Sequence, residues 1–169
     1  MPDRSREERF LALFNASFDD LTRFVRRRIA DGDDIVAETY VVAWQSLERV
    51  PADEGEARAW IFTVARNLLA NQRRKDARLV SWEPPDIPID DESSATDTRI
   101  DLARAFARLG AEDQEVLALV AWDGLTSAQG ATVLGVAPAT FRVRLHRARR
   151  RLRARMHQPT INVSPVSRS

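Results

Sequence analysis

The sequence predicts an all-α fold of two small helical domains, residues 1–78 and 97–155, joined by a flexible acidic linker at 79–96. Hydrophobic residues make up 44% of the 169-residue chain, which contains only 6 Gly, as expected of a folded and largely helical protein. Apolar residues recur at helical spacing in both halves. Between the halves, a segment with several prolines and a run of acids has no periodic apolar face, which indicates a solvent-exposed linker.

In the first half, apolar periodicity predicts four helices packed on one core. They cover 4–15, 18–30, a stretch that follows Asp31 and ends before Pro51, and 56–78. Asp31 is expected to cap the third helix, where acidic side chains also suit the positive end of the helix dipole. The apolar face of the fourth helix and two tryptophans are expected in the core: Trp44, Trp60, Ile61, Val64, Ala65, Leu68 and Leu69.

In the second half, the same pattern predicts four shorter helices followed by a disordered tail. The helices cover 98–108, 111–122, 127–134 and 138–155, and the tail covers 156–169. The tail is rich in Ser and Pro and has no apolar periodicity, as is typical of disordered chain ends.

The last two of these helices have the signals of a helix-turn-helix. Thr126 and Gln129 predict a capping box at the start of the first helix. Gly135 suits the end of that helix, and Pro138 suits the first turn of the next. Two helices joined by such a tight turn can place the second one in the major groove of DNA. Gly130 in the first helix costs about 1 kcal/mol against Ala, so this helix is expected to be marginal without its neighbours.

The second of these helices has an apolar face and an arginine-rich face. Its apolar residues Phe141, Leu145, Ala148 and Leu152 are spaced to pack inward. Eight Arg and no acid fall within 142–155, a charge run that favours an anionic partner such as nucleic acid. Residues early in a docked helix meet base edges, and later ones meet phosphates. The candidates are Arg142, then Val143 and His146, for base edges, and Arg147, Arg150 and Arg151 for phosphates.

The alternative is a solvated basic helix at a chain end, which the combination of turn, cap, inward apolar face and eight Arg disfavours. A helix-turn-helix alone is common to many transcription regulators. An enzyme such as a nuclease is disfavoured, because the chain has no Cys and only two His, which leaves no nucleophile or metal cluster. Asp31, Asp33 and Asp34 resemble metal ligands, but helix capping explains them. No catalytic residue, metal or cofactor is therefore expected. The apolar runs are too short for membrane insertion and no signal peptide is evident, so a soluble, cytoplasmic protein is expected.

Three segments together resemble the extracytoplasmic-function (ECF) sigma factors of the sigma-70 family. Residues 31–44, Asp-Gly-Asp-Asp-Ile-Val-Ala-Glu-Thr-Tyr closing on Ala-Trp, resemble the family's region-two signature. Residues 57–68, followed by Arg73-Arg74, are similar to its promoter-melting segment. Residues 135–149 resemble its region-four helix-turn-helix. The three matches lie in the family's order and at its spacing, and they cover roughly 10–152.

The resemblance implies a non-catalytic specificity factor for transcription initiation. Domain 1–78 would be sigma region 2, which binds core RNA polymerase and traps the melted strand of the minus-ten element. Domain 97–155 would be sigma region 4, which reads the minus-thirty-five duplex. The implied partners are the clamp helices of the largest polymerase subunit, the flap of the second-largest, promoter DNA as duplex and single strand, and an anti-sigma factor.

The same resemblance implies three sets of binding residues. For core polymerase they are Asp33, Asp34, Glu38 and Gln45. For the single strand they are Arg58, Arg66, Asn67, Asn71, Arg73 and Arg74, with the loop 48–55 lining a base pocket. For the minus-thirty-five duplex they are Thr140, Arg142, Val143, Arg144, His146, Arg147 and Arg150.

Two departures from the family pattern concern the helix-turn-helix. Gln129-Gly130-Ala131 stands where a Glu-apolar-Ala pattern is usual, and Ala137 stands where a hydroxyl cap is usual. The alternative function is a helix-turn-helix regulator that binds DNA without core polymerase and uses its first half for dimerisation or sensing. That alternative predicts tight duplex binding by the chain alone, whereas a sigma factor is expected to bind weakly by itself.

Overall fold

A computed structural model describes residues 2–75 and 93–157, and within those residues all regular structure is helical. In the first half, α1 covers Pro2–Arg26, α2 covers Asp33–Gln45 and α3 covers Glu54–Lys75, with a short 3-10 turn at Leu47–Arg49 before α3. In the second half, the helices are α4 (Ser93–Ala107), α5 (Ala111–Ala121), α6 (Ser127–Leu134) and α7 (Pro138–Met156). The predicted all-α fold is confirmed, while most of the predicted linker and tail lie outside the described residues.

The first helix is continuous where the sequence predicted two helices with a break after residue 15. No Gly or Pro interrupts this stretch, and Ser17 is buried against the core. Its hydroxyl donates to the Leu13 carbonyl at 2.7 Å and lies 2.9 Å from the Tyr40 hydroxyl. Burial raises the pKa of Tyr40 to about 12, so the phenol stays neutral in this contact. Because its hydroxyl has hydrogen-bond partners, Ser17 can be buried within the helix and does not end it.

The start of α2 also differs from the prediction. The N-cap is Gly32, which makes no side-chain cap, so the expected capping by Asp31 is wrong. A Cβ at Gly32 would lie 2.4 Å from Cγ1 of Val25, so the close approach of α1 requires glycine here. Asp33 and Asp34 do lie in the first turn of α2, where negative charge suits the helix dipole.

The core of the first half forms where α1, α2 and α3 meet. Phe24 and Phe62 are fully buried and stack with ring centroids 4.7 Å apart. Trp60 packs against this core as predicted. Trp44 does not, because it is 38% exposed with the Arg6 guanidinium 5.1 Å from its ring centroid. The expectation that Trp44 is a core residue is therefore wrong.

In the second half, α5, α6 and α7 pack around Phe141, which is fully buried. The capping box of Thr126 and Gln129 is confirmed, and Gly135 ends α6 with a left-handed φ of 64°. A Cβ at Gly130 would lie 2.4 Å from Cζ of Phe141, which explains why glycine interrupts the usual family pattern. Helix α4 begins at Ser93, earlier than the sequence predicted.

The two halves pack against each other, with α3 of the first half lying against α6 of the second. Most of their buried apolar residues belong to one contiguous core cluster that runs from Leu21 on α1 to Ala148 on α7, while Leu47, Val50 and Ala57 form a smaller cluster in the first half. The side chain of Gln129 crosses this contact and donates to the Gly55 carbonyl at 3.0 Å. In the part of the chain that the structure covers, no helix is both long and apolar enough to cross a membrane.

Candidate nucleic-acid interface

Helix α7 presents an arginine-rich face to solvent and an apolar face to the core. Phe141, Leu145 and Ala148 are buried, as their spacing predicted. Pro138 occupies the first turn and the N-cap Ala137 makes no side-chain cap, so packing and not capping holds this end. The seven residues predicted for duplex binding are all exposed: Thr140, Arg142, Val143, Arg144, His146, Arg147 and Arg150.

The arginines of this face are largely unpaired. Among residues 2–75 and 93–157, no carboxylate makes an ion pair with Arg142, Arg147 or Arg150. Arg151 differs, because its guanidinium contacts both carboxylate oxygens of Asp113 on α5 at 2.8 Å. Unpaired guanidiniums are the groups that contact phosphates and guanine edges, so Arg151 is less available for such contacts than the sequence suggested.

The outer face of α3 carries the residues predicted for the single strand. Asn67, Asn71 and Arg74 are exposed, and the Arg74 guanidinium donates to the Asn71 amide oxygen. Arg66 and Arg73 are half-buried. They line a cleft of about 290 Å³ between the two halves, opposite carboxylates on α5 and beside Arg144 of α7.

Arg58 lies at the contact between the halves and not on this open face. Its guanidinium pairs with Asp20 at 2.8 Å and donates to the backbone carbonyl of Asp123 at 2.6 Å. The same group lies 4.9 Å from the ring centroid of Phe62. In this arrangement Arg58 is engaged on several sides, so strand binding would require it to change partners.

The loop 48–55 lines a cavity of about 400 Å³ together with α1. Its walls are mainly apolar and include Leu13, Val50 and Ala57, with Arg9 and Arg58 as cationic groups. Arg9 donates to the Val50 carbonyl, which ties the loop to α1. Glu54 also lines the cavity. The base pocket that the resemblance implied for this loop stays a prediction, and a largely apolar cavity with cations beside it is compatible with it.

Helix α2 presents the residues predicted for core polymerase on its solvent side: Asp33, Asp34, Glu38 and Gln45. Asp34, Glu38 and Gln45 follow one another at helical spacing on one face, while Asp33 pairs with Arg26 at 3.1 Å. The same face also exposes Val41 by 53%.

Sequence reasoning missed Val41 and the exposed Trp44 as candidate contacts. Their signal was present, because Val41 falls between Glu38 and Gln45 in the helical repeat and so must share their face. Val41 and Trp44 are one helical turn apart, and neighbouring exposed apolar side chains rimmed by polar ones can mark a protein-docking surface. In the described part of the chain, no group of three or more His, Cys, Asp or Glu is arranged to hold a metal.

Comparisons with known proteins agree with this arrangement. The model of Sigma-70 region 2 matches residues 13–79, and that of Sigma-70 region 4 matches 99–152. The ECF RNA polymerase sigma factor SigL of Mycobacterium tuberculosis is 36% identical in an alignment of 161 positions, gaps included, that covers 87% of this chain and 90% of SigL. The RNA polymerase sigma factor CnrH of Cupriavidus metallidurans is 30% identical over 73% of this chain and 72% of its own.

Solved structures show the same fold. CnrH in complex with the cytosolic domain of CnrY has a TM-score of 0.57 at 26% identity, covering 86% of this chain and 85% of that one. The sigma factor RpoE from Bartonella quintana, solved with the anti-sigma factor NepR, has a TM-score of 0.58 at 23% identity over 92% of this chain and 98% of that one. The chain therefore belongs to the ECF group of the sigma-70 family, whose members are transcription initiation factors and not enzymes.

Proposed function

We propose that this sigma factor binds core RNA polymerase through its first half and directs initiation by reading two promoter elements. The observation that carries the proposal is the packed helix-turn-helix, whose last helix exposes Arg142, Arg147 and Arg150 with no carboxylate partner among residues 2–75 and 93–157. The other half of the chain also has a basic helix and a pocket. Two separate DNA-binding surfaces suit one duplex element and one melted element.

For the minus-thirty-five element, we assign the exposed face of α7 to the major groove. Arg142 lies in the first turns of the helix, where side chains meet base edges, and a bidentate contact to guanine requires a free guanidinium. Arg147 and Arg150 follow further along the same exposed surface and suit the phosphates. Thr140, Val143, Arg144 and His146 complete the surface and stay candidates for base or backbone contacts.

For the minus-ten element, we assign the outer face of α3 and the cavity behind the loop 48–55. Arg66, Arg73 and Arg74 offer a basic track for the strand, and Asn67 and Asn71 offer amide groups for base edges or phosphates. The cavity between α1 and the loop is large enough for one extruded base.

For core polymerase, we assign the exposed face of α2 to the clamp helices of the largest subunit. Asp34, Glu38 and Gln45 supply polar contacts, and Val41 lies among them as an apolar anchor. The second half would contact the flap of the second-largest subunit. These assignments follow the family and the exposure of the residues.

We also propose control by an anti-sigma factor and a cytoplasmic location. CnrH, 30% identical to this chain, was solved in complex with the cytosolic domain of CnrY. That complex supports a protein partner in the cytoplasm for this chain. Because this chain contains no Cys, any thiol-based sensing would have to reside in that partner.

The test is reconstitution of the chain with purified core polymerase, followed by run-off transcription across the source genome. The proposal predicts transcripts from a small set of promoters that share two elements at a fixed spacing. Absence of any transcript dependent on the chain would refute it. Tight, sequence-specific duplex binding without polymerase, and no transcript with it, would instead favour a helix-turn-helix regulator.

A further inference from the structure

One exposed arginine of α7 is already held by a carboxylate of its own half. Nη1 of Arg151 lies 2.8 Å from each carboxylate oxygen of Asp113, a residue of the first turn of α5. Of the eight arginines within 142–155, Arg151 alone makes an ion pair among residues 2–75 and 93–157. The pair joins two helices of the second half, so it does not depend on the contact between the halves.

Arg151 belongs to a row of exposed arginines along one flank of α7. Arg144, Arg147 and Arg151 follow one another at spacings of three and four residues, which places them on the same side of the helix. The first two are among the residues assigned to the duplex, and Arg151 follows one turn later. Later positions of a docked recognition helix meet phosphates, so Arg151 lies where a contact to the DNA backbone is expected.

The two side chains of the pair differ in exposure. The Arg151 side chain is 60% exposed, whereas the Asp113 side chain is 14% exposed where α5 packs against α7. The carboxylate engages Nη1 only, which leaves Nε and Nη2 of Arg151 without a partner in the described structure. A phosphate that contacted those two nitrogens would lie close to the Asp113 carboxylate, and the two negative charges would repel.

A phosphate contact at Arg151 therefore carries a cost that the other arginines of the row avoid. A free arginine that binds phosphate releases a condensed counterion from the DNA, and this release makes affinity fall with salt. If Arg151 leaves Asp113 for a phosphate, it exchanges one anionic partner for another. The carboxylate of Asp113 then keeps its charge without a partner and attracts a cation in turn, so the net release of ions from this position is close to zero.

We propose that Asp113 withholds Arg151 from DNA and so limits sequence-independent duplex binding by α7. Phosphate contacts carry no sequence information, so the absence of one lowers affinity for every duplex and leaves base reading to the start of the helix. Asp113 acts through Arg151, which makes it a positioning residue and not a DNA contact. The inference rests on the proposed function, because it takes the exposed face of α7 as the duplex-binding surface.

The test is a salt titration of duplex binding by the full chain, with a mixed-sequence duplex as the probe. Asp113→Asn keeps the shape of the side chain and removes the charge that holds Arg151. We expect it to bind the duplex about fivefold more tightly at about 0.1 M salt. The slope of log affinity against log salt should become steeper by about 0.9, the value for one additional phosphate contact. Fluorescence anisotropy at several salt concentrations measures both quantities.

Glu112→Gln is the matched control. Glu112 is the neighbouring carboxylate in the first turn of α5, is exposed, and makes no ion pair within the described residues. This variant removes the same charge from the same helix end while Arg151 stays held, so its salt slope should equal that of the parent. Equal slopes and equal affinities in Asp113→Asn and Glu112→Gln would overturn the proposal, because net charge alone would then explain any gain.

A double variant separates withholding from the opposite role, in which Asp113 orients Arg151 toward phosphate. In Asp113→Asn/Arg151→Ala the gain should vanish and the slope should return to that of the parent, because the gain needs the freed guanidinium. A steeper slope that persists in the double variant would assign the gain to other arginines and contradict the proposal. Weaker duplex binding in Asp113→Asn that Asp113→Glu restores would establish the orienting role and refute withholding.

Two arginine variants test the same point even if Asp113→Asn fails to fold. Arg147→Ala should reduce the salt slope by about 0.9, whereas Arg151→Ala should reduce it by much less. Equal reductions would show that Arg151 already contacts phosphate and would reject the inference. A parent chain that binds no duplex at low salt, even with core polymerase, would refute the duplex-binding role of α7 itself. Salt-dependent binding by the parent, with an unchanged slope in Asp113→Asn, would remove only the role of Asp113.

Discussion

Gly130 lies in the middle of α6, where helix propensity favours almost any other residue. The structure gives a reason for glycine, because a Cβ there would lie 2.4 Å from Cζ and 2.7 Å from Cε2 of Phe141. The Phe141 ring is fully buried at the start of α7, so it has no free space into which to move. The close approach of Gly130 to Phe141 sets how closely α6 packs against α7.

Gly130→Ala therefore has two opposing effects on the free energy of unfolding, and the larger one decides whether the variant gains or loses stability. Replacing a helical glycine by alanine stabilises a helix by about 1 kcal/mol. Forcing a methyl group into a filled core costs about 1–3 kcal/mol, and a contact this short belongs at the upper end of that range. We expect a net loss of about 1–2 kcal/mol in the free energy of unfolding, with weaker duplex binding because the start of α7 shifts.

The assay is denaturant unfolding of the full chain, with Gly130→Ala alone and combined with Phe141→Leu, which removes the atoms that clash. In the Phe141→Leu background, Gly130→Ala should be neutral or stabilising, and the double-mutant cycle gives the coupling between the two positions. Gly110→Ala is the steric control, because its Cβ would meet no atom within 4 Å. Gly110 is the N-cap of α5, so this variant should lose about 0.5–1 kcal/mol through a poorer cap, and Phe141→Leu should leave that loss unchanged. A Gly130→Ala chain that gains stability, or whose loss is unchanged by Phe141→Leu, would refute the reasoning.

Two further substitutions test the binding surfaces. Arg142→Ala should weaken minus-thirty-five duplex binding by about 1–3 kcal/mol without changing the unfolding curve, because its side chain is exposed and makes no ion pair within the described residues. Fluorescence anisotropy at fixed salt measures this loss, and Arg151→Ala, whose side chain already pairs with Asp113, should lose less. Val41→Asp should weaken binding to core polymerase by about tenfold or more while folding is retained, since Val41 is exposed among acidic neighbours. Co-purification with core polymerase measures that affinity, and normal binding would remove Val41 from the docking surface.

The helix-turn-helix was the part of the fold most fully predictable from sequence. Helix α6 begins and ends where predicted, because its capping box at Thr126 and its left-handed Gly135 are local signals. The inward face of α7 was also correct, since Phe141, Leu145 and Ala148 follow helical spacing without any interruption. Short-range chemistry determines these features, so neighbouring residues are enough to reveal them.

The errors have long-range causes. Helix α1 continues through Ser17 because Tyr40, far along the chain, lies against its hydroxyl. The need for glycine at position 130 depends on Phe141 in the next helix. Among the site residues, Arg58 looked free in sequence, yet Asp20 and the carbonyl of Asp123 engage it. None of these contacts follows from periodicity, because each depends on which helices meet.

The contact between the two halves divides several arginines into two groups, which differ in how available they are to bind DNA. Arg142, Arg147 and Arg150 on α7 lack carboxylate partners in the described structure, whereas Arg27, Arg28 and Arg58 are engaged at the contact between halves. Exposed charges are screened by salt with a Debye length of about 8 Å at physiological ionic strength, and buried pairs are screened much less.

Salt should therefore weaken duplex binding by the chain steeply without separating its two halves. The contact between the halves contains Asp123, whose fully buried carboxylate lies 2.8 Å from Nη1 of Arg27 and 3.0 Å from Nη2 of Arg28. A titration of duplex affinity against salt, with small-angle scattering recorded at each step, measures both effects. A chain that expands as salt rises, or whose duplex affinity does not depend on salt, would contradict this difference between buried and exposed arginines.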